Sequence, residues 1–194
     1  QDPRNVKAAL AGIRRLFKET GRELPVAVSG TIEPMGTMLA GQDAESFVIS
    51  LEHLDLLYIG LNCATGPDLM TDHIRAMAEL ARVPVACVPN AGLPDQDGRY
   101  VETPQMMAAV LDRFIREGWV NLIGGCCGTT VAHIEAFVQL AKGRPPRQIP
   151  RRSGTFVSGL ESLEISDEKR PVLVGERTNV IGSRKFRELI ASGK

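Results

Sequence analysis

Apolar residues recur along the first 142 positions in two alternating rhythms. Val6, Ala9, Leu10, Ile13 and Phe17 fall at helical spacing, and Gly21 follows as a stop signal. Pro25-Val-Ala-Val-Ser-Gly30 then forms a short apolar run ending on small residues, as a buried strand does. The cycle repeats with a helical pattern over 44–54 and a strand at Leu56-Leu-Tyr-Ile-Gly-Leu-Asn-Cys63. Pro67 opens a helix carrying Leu69, Met70, Ile74, Met77 and Leu80, and Val83-Pro-Val-Ala-Cys-Val88 is a third strand with Pro84 near its first ladder position. Thr103-Pro104 is an N-cap and first-turn pair for a helix with Met107, Val110, Leu111 and Phe114 on one face. Trp119-Val-Asn-Leu-Ile123 is the fourth strand, and Thr129 or Thr130 caps a helix burying Ile134, Phe137, Val138 and Ala141.

Continuous apolar strands alternating with amphipathic helices predict an α/β fold with a parallel sheet covered by helices. Cys63, Asn90 and the Cys126–Cys127 pair all lie just past strand C-termini. In a (β/α)8 TIM barrel such positions converge on one mouth, whereas an open doubly wound sheet spreads them along a line. The pattern therefore predicts the C-terminal half of a barrel over residues 1–142. The chain opens without methionine and closes inside a helical pattern, and so reads as a piece of a longer protein.

Residues 143–170 change character. Arg144, Pro145, Pro146, Arg147, Pro150, Arg151 and Arg152 make a basic, proline-rich stretch, read as a solvated interdomain linker. Beyond it, Pro171-Val-Leu-Val-Gly175 predicts a strand, and Gly182-Ser183 leads into a helix with Phe186, Leu189 and Ile190. Residues 171–194 thus look like the first strand and helix of a second domain.

Composition narrows the classes. A hydrophobic content of 43% in 194 residues supplies a packed core, and a formal net charge of zero argues for neither nucleic acid nor an anionic membrane as partner. The apolar runs are too short to span a bilayer, and the start carries no signal segment. Four cysteines do not make a disulfide framework and suit a reducing cytoplasm.

The chemistry centres on cysteine. Cys126 and Cys127 are adjacent within Gly-Gly-Cys-Cys-Gly-Thr-Thr (124–130), and adjacent cysteines are poor disulfide partners. With Cys63 they could fill three corners of a tetrahedral zinc site and leave the fourth open. Three thiolates on Zn²⁺ leave a negative site that keeps an incoming sulfur electron-rich, which favours alkyl transfer onto a thiol over hydrolysis. The pair also admits a core or redox reading, and a structural zinc. Cys87, mid-strand among apolar neighbours, reads as core; His53, His73 and His133 read as surface or helix-end residues; Asn62 and Asn90 could each merely shape a turn.

Gly60-Leu-Asn-Cys63, Pro89-Asn-Ala-Gly-Leu-Pro94 and Gly124-Gly-Cys-Cys-Gly-Thr-Thr130 resemble the homocysteine S-methyltransferase domain. Pro171–Phe186, with Gly175-Glu-Arg-Thr-Asn-Val180, resembles the opening of the pterin-binding domain that follows it in the cobalamin-dependent methionine synthase family. The resemblance implies a TIM barrel with Cys63, Cys126 and Cys127 on Zn²⁺ and homocysteine sulfur as the fourth ligand. It implies Asn90, Asn62, Ser29 and Asp2 bordering homocysteine, and Glu176 and Asn179 contacting 5-methyltetrahydrofolate in a second TIM barrel. The methyl group would pass from folate to cobalamin to homocysteine, with methylcobalamin bound by a domain of the same polypeptide absent from this chain. Val131 departs from the proline frequent after the two threonines. Betaine- or S-methylmethionine-dependent methyl transfer, and a non-catalytic zinc element, are the alternatives.

Overall fold

The structure, a computed structural model, describes residues 2–175 and 180–193. The chain divides into two compact units, Gln1–Glu164 and Ile165–Lys194.

In the first unit, helix α1 (Pro3–Thr20) starts at Asp2, whose carboxylate accepts the Arg4 N–H at 2.9 Å, and ends at Gly21, left-handed at φ 67°. Four parallel strands follow, each with a helix after it: β1 (Val28–Gly30), β2 (Ile59–Asn62), β3 (Val85–Val88) and β4 (Leu122–Ile123), in the order β1-β2-β3-β4. Val28 pairs with Ile59, Ile59 with Val85, and Ala86 with Leu122. The helices after them are α2 (Ala44–Leu51), α3 (Thr71–Leu80, behind a 3₁₀ turn at Asp68–Met70), α4 (Pro104–Arg116) and α5 (Val131–Ala141). Phe47, Leu51, Ile59, Leu61, Ile74, Met77, Val85, Met107, Leu111 and Phe114 form the buried core between sheet and helices.

Strand edges are shorter than their apolar runs because pairing needs a neighbour. β4 has only two ladder residues; beside them the Asn121 side chain substitutes for backbone, accepting the Val85 N–H at 2.9 Å and donating to Arg147 O at 3.0 Å. At the opposite edge the stripe of α1 is only partly covered. Leu10 is buried, but Ile13 and Phe17 line an open cavity of about 670 Å³ with Leu24, Val26, Leu54 and Leu56.

The stretch after α5 departs from the solvated reading at two arginines. Arg147 is 4% exposed, and its guanidinium donates to Ala78 O (2.6 Å), Ala81 O (2.7 Å) and Val83 O (3.2 Å). These carbonyls lie at and beyond the end of α3, where a helix leaves acceptors unpaired and a cation is favoured. Arg152 donates to Leu80 O and Glu52 and lies 4.0 Å over the Phe156 ring. A hairpin not foreseen from the sequence, β5 (Thr155–Ser158) and β6 (Ser162–Ile165), packs on α2. The Ser46 hydroxyl donates to Gly159 O, Asp43 N–H to Leu160 O, and the Ser162 hydroxyl to Glu45. That cover leaves α2 buried on nearly all sides, although polar residues surround the hairpin in sequence.

The second unit holds a 3₁₀ turn at Asp167–Lys169 and helix α6 (Arg184–Ala191), capped by the Ser183 hydroxyl. The helix was expected; the strand at 171–175 does not form. Among the described residues its backbone has no ladder partner, and Leu173 and Val174 are 91% and 81% exposed. Glu176 and Asn179 lie outside the described residues.

Candidate thiolate metal centre

Three loops at the C-terminal ends of β2, β3 and β4 bring the cysteines together. Past β2, Cys63 N–H still bonds Val88 O at 3.1 Å, prolonging the ladder by one residue. The chain then bends through Cys63 and Ala64 at φ 62° and 59°, and Thr65 N–H closes on Cys63 O at 2.7 Å. Two successive non-glycine residues in the left-handed region are uncommon and mark a conformation held by its surroundings. Past β4, Cys126 N–H bonds Pro89 O at 2.8 Å, and the Thr129 hydroxyl returns to Cys126 O at 2.7 Å. Gly128 completes this turn at φ 77°, and a side chain there would run into the ring of Tyr100.

The sulfurs meet as a result. Cys63 Sγ lies 3.6 Å from Cys127 Sγ, Cys126 Sγ lies 3.9 Å from Cys127 Sγ, and all three fall within 4.8 Å of one another. No disulfide joins them. A tetrahedron with zinc–sulfur bonds of about 2.3 Å has edges of about 3.8 Å, so this spacing suits the ion and needs no large rearrangement. The cluster could hold a metal ion.

Asn90 knits the three loops. It is 3% exposed; its N–H bonds Thr65 O at 3.0 Å, and its side-chain carbonyl accepts Cys127 N–H at 3.1 Å. Ala91 N–H adds a bond to Cys127 O at 2.9 Å.

The electrostatics are those of crowded thiols. Burial pushes the Cys63 thiol up, but the Ala64 N–H, the other two cysteines and Asn90 together bring it below its ordinary value. Burial, and then its hydrogen bonds to Cys63 and Cys127, push Cys126 up to about 11. One sulfur is thus easier to ionise and its neighbour harder, a conflict that a divalent cation removes. The Tyr100 phenol is pushed up by desolvation and then by the sulfurs, Cys127 first.

Ser29 and Asn62 sit on adjacent strand ends and bond each other, Ser29 Oγ donating to Asn62 Oδ1 at 2.5 Å. Asp2 caps α1. Cys87 is wholly buried in the core, and burial raises its thiol far above the usual range. His133 is a helix-end residue: Nδ1 accepts the Thr130 N–H, and Nε2 pairs with Glu102 O at 3.0 Å. Tyr100 was missed from sequence. Its signal was the Asp97-Gly98 turn, which folds the loop after β3 back so that Tyr100 pairs with Pro94.

No helix among the described residues is long and apolar enough to cross a membrane. Residues 1–141, which include all three clustered cysteines, match the family model described as homocysteine S-methyltransferase. This chain belongs to the homocysteine S-methyltransferase family.

Proposed function

We propose that the chain binds Zn²⁺ through Cys63, Cys126 and Cys127 and transfers a methyl group to the sulfur of homocysteine, giving methionine. The observation that carries this reading is the 3.6 and 3.9 Å sulfur spacing, within a family defined by methyl transfer to this thiol. Zinc in that setting lowers the pKa of a thiol bound at its open position. The chain's own residues hold the sulfurs in place: Asn90 links the Cys63 and Cys127 loops, and Thr129 fixes Cys126. Ser29 and Asn62, at the neighbouring strand ends, would border the amino-acid part of the substrate, with Asn90 on the next loop and Asp2 at the N-cap of α1.

The same reading makes residues 1–142 part of a TIM barrel and residues 171–194 the start of a pterin-binding domain, joined through 143–170. The Gly175-Glu-Arg-Thr-Asn179 segment supports methylcobalamin as donor and 5-methyltetrahydrofolate as methyl source, with Glu176 and Asn179 on the pterin. The cobalamin-binding domain would belong to the same longer polypeptide, in a reducing cytoplasm suited to free thiols.

The test is metal analysis followed by donor choice. Protein purified without chelator should hold one zinc per chain, and Cys63→Ala, Cys126→Ala or Cys127→Ala should lose it. Absence of zinc from the unaltered protein would sink the reading. In the full-length protein, methionine should form from methylcobalamin; formation only from betaine or S-methylmethionine would reassign the donor, and zinc without any methyl transfer would leave a structural role.

A further inference from the structure

Hydrogen bonds fasten the cysteine turn after β4 to the loop after β3 in a closed circuit. Ala91 N–H bonds Cys127 O at 2.9 Å, and Glu102 N–H bonds Ala91 O at 3.1 Å. His133 Nε2 meets Glu102 O at 3.0 Å, and His133 Nδ1 accepts the Thr130 N–H at 3.1 Å. Thr130 ends the Gly-Thr-Thr segment that follows Cys127, so the circuit returns to its start. A backbone N–H only donates, so Nδ1 carries no proton; the ring proton sits on Nε2, and the Glu102 carbonyl accepts it. Both nitrogens are used, on an imidazole 6% exposed that meets the Phe137 ring edge-on. Capping α5 needs only Nδ1. The Nε2 bond reaches 31 positions back and serves the loop instead.

We propose that His133 is a positioning residue of the thiolate centre, its Nε2 pinning Glu102 and through it the loop that holds Cys127 near Cys63. This inference rests on the three-thiolate reading above. Glu102 is well placed for the task. Its backbone bonds Ala91, whose N–H holds Cys127, and its side chain packs on Gly66, three residues past Cys63, and on Gly92. A Cβ at either glycine would run into that side chain. One pinned residue thus bears on the loops of two of the three sulfurs. A metal site binds tightly only when its ligands are already placed, and residues behind the ligands set that placement.

Two substitutions separate the tether from the helix cap. His133→Asn puts an amide oxygen where Nδ1 stands and keeps the bond to Thr130, with nothing at Nε2. His133→Gln puts an amide nitrogen where Nε2 stands, keeping the bond to Glu102 and giving up the cap. Cobalt(II) chloride, whose absorbance reports sulfur ligation, reads the difference in the 194-residue chain. The expected result is cobalt bound about 10-fold more weakly by His133→Asn, with a weaker thiolate-to-cobalt band, and within about 3-fold of the unaltered chain by His133→Gln. Without metal, the Ala91 and Glu102 N–H groups should exchange with deuterium faster in the Asn variant than in the Gln variant. Asp43→Ala, which removes the α2 cap outside this circuit, should lower the urea midpoint and leave cobalt affinity unchanged. An Asn variant that binds cobalt like the unaltered chain, or a Gln variant as weak as the Asn variant, overturns the inference and leaves the metal site standing. So does an equal loss in Asp43→Ala, which would reduce His133 to general stability. An unaltered chain that takes up no cobalt overturns both readings.

Discussion

Asn90 accepts the N–H of Cys127 at 3.1 Å through its side chain while its own N–H is bonded to Thr65, two residues past Cys63. One buried amide therefore sets the distance between a cysteine on the β2 loop and a cysteine on the β4 loop. Asparagine suits the place because its side-chain carbonyl is an acceptor for the Cys127 N–H and carries no charge to add to the thiols.

Asn90→Ala removes the acceptor of the Cys127 N–H. Zinc affinity should fall by about 10- to 100-fold, as for other partners of metal ligands. Competition with a chromophoric chelator measures it. Asn90→Asp keeps the acceptor, loses the donor and adds a charge beside three thiolates; it should bind zinc more weakly than the unaltered chain.

Gly128→Ala puts a methyl group into the Tyr100 ring at a φ of 77°. The left-handed conformation alone costs on the order of 1–3 kcal/mol for such a residue, and the clash adds to it. A lowered midpoint in urea and a weakened zinc site should appear together. Gly12→Ala, in α1 with open space around it, should leave both unchanged or raise stability slightly.

Arg147→Ala strips a buried guanidinium from three carbonyls. Each buried acceptor left without a partner costs about 1–3 kcal/mol, so the first unit should lose at least about 3 kcal/mol in denaturant unfolding. Arg147→Lys keeps the charge without the planar fork and should fall between. A loss below about 0.5 kcal/mol for Arg147→Ala would show the stretch to be a loose connector after all.

Zinc uptake should release protons. With Cys126 pushed up to about 11, its thiol is protonated throughout the neutral range in the metal-free protein. Ligation requires the thiolate, so the apparent zinc affinity should rise with pH between 6 and 9, a range set by about the neutral side of that pKa. Calorimetry in buffers of different ionisation enthalpy counts the protons; no buffer dependence would contradict the sign.

Much of this molecule is legible from residue order. Strand–helix alternation survives in all four strand–helix pairs because the continuous Val/Ile/Leu runs of the central strands β2 and β3 are buried on both faces, as a helix-covered parallel sheet allows. Cys87 and His133 also behave as their neighbours in sequence imply. The loop after β3 was less legible, since nothing local says that Tyr100 will lie on Gly128, some thirty positions on. Arg147 misled for a related reason: prolines and arginines look solvated until a helix end supplies carbonyls. The strand expected at 171–175 had the right residues but, among the described residues, no neighbour to pair with.

By itself the sequence determined the kind of site, because three cysteines just past strand ends in glycine-bracketed turns carry their chemistry wherever the strands lie. Only the tertiary structure decided that their sulfurs stand 3.6 and 3.9 Å apart, that Asn90 is bonded to the Cys127 N–H, and that Tyr100 lies against Gly128. Those distances depend on parallel register and on loops from different strands meeting, which are contacts between residues far apart in the chain.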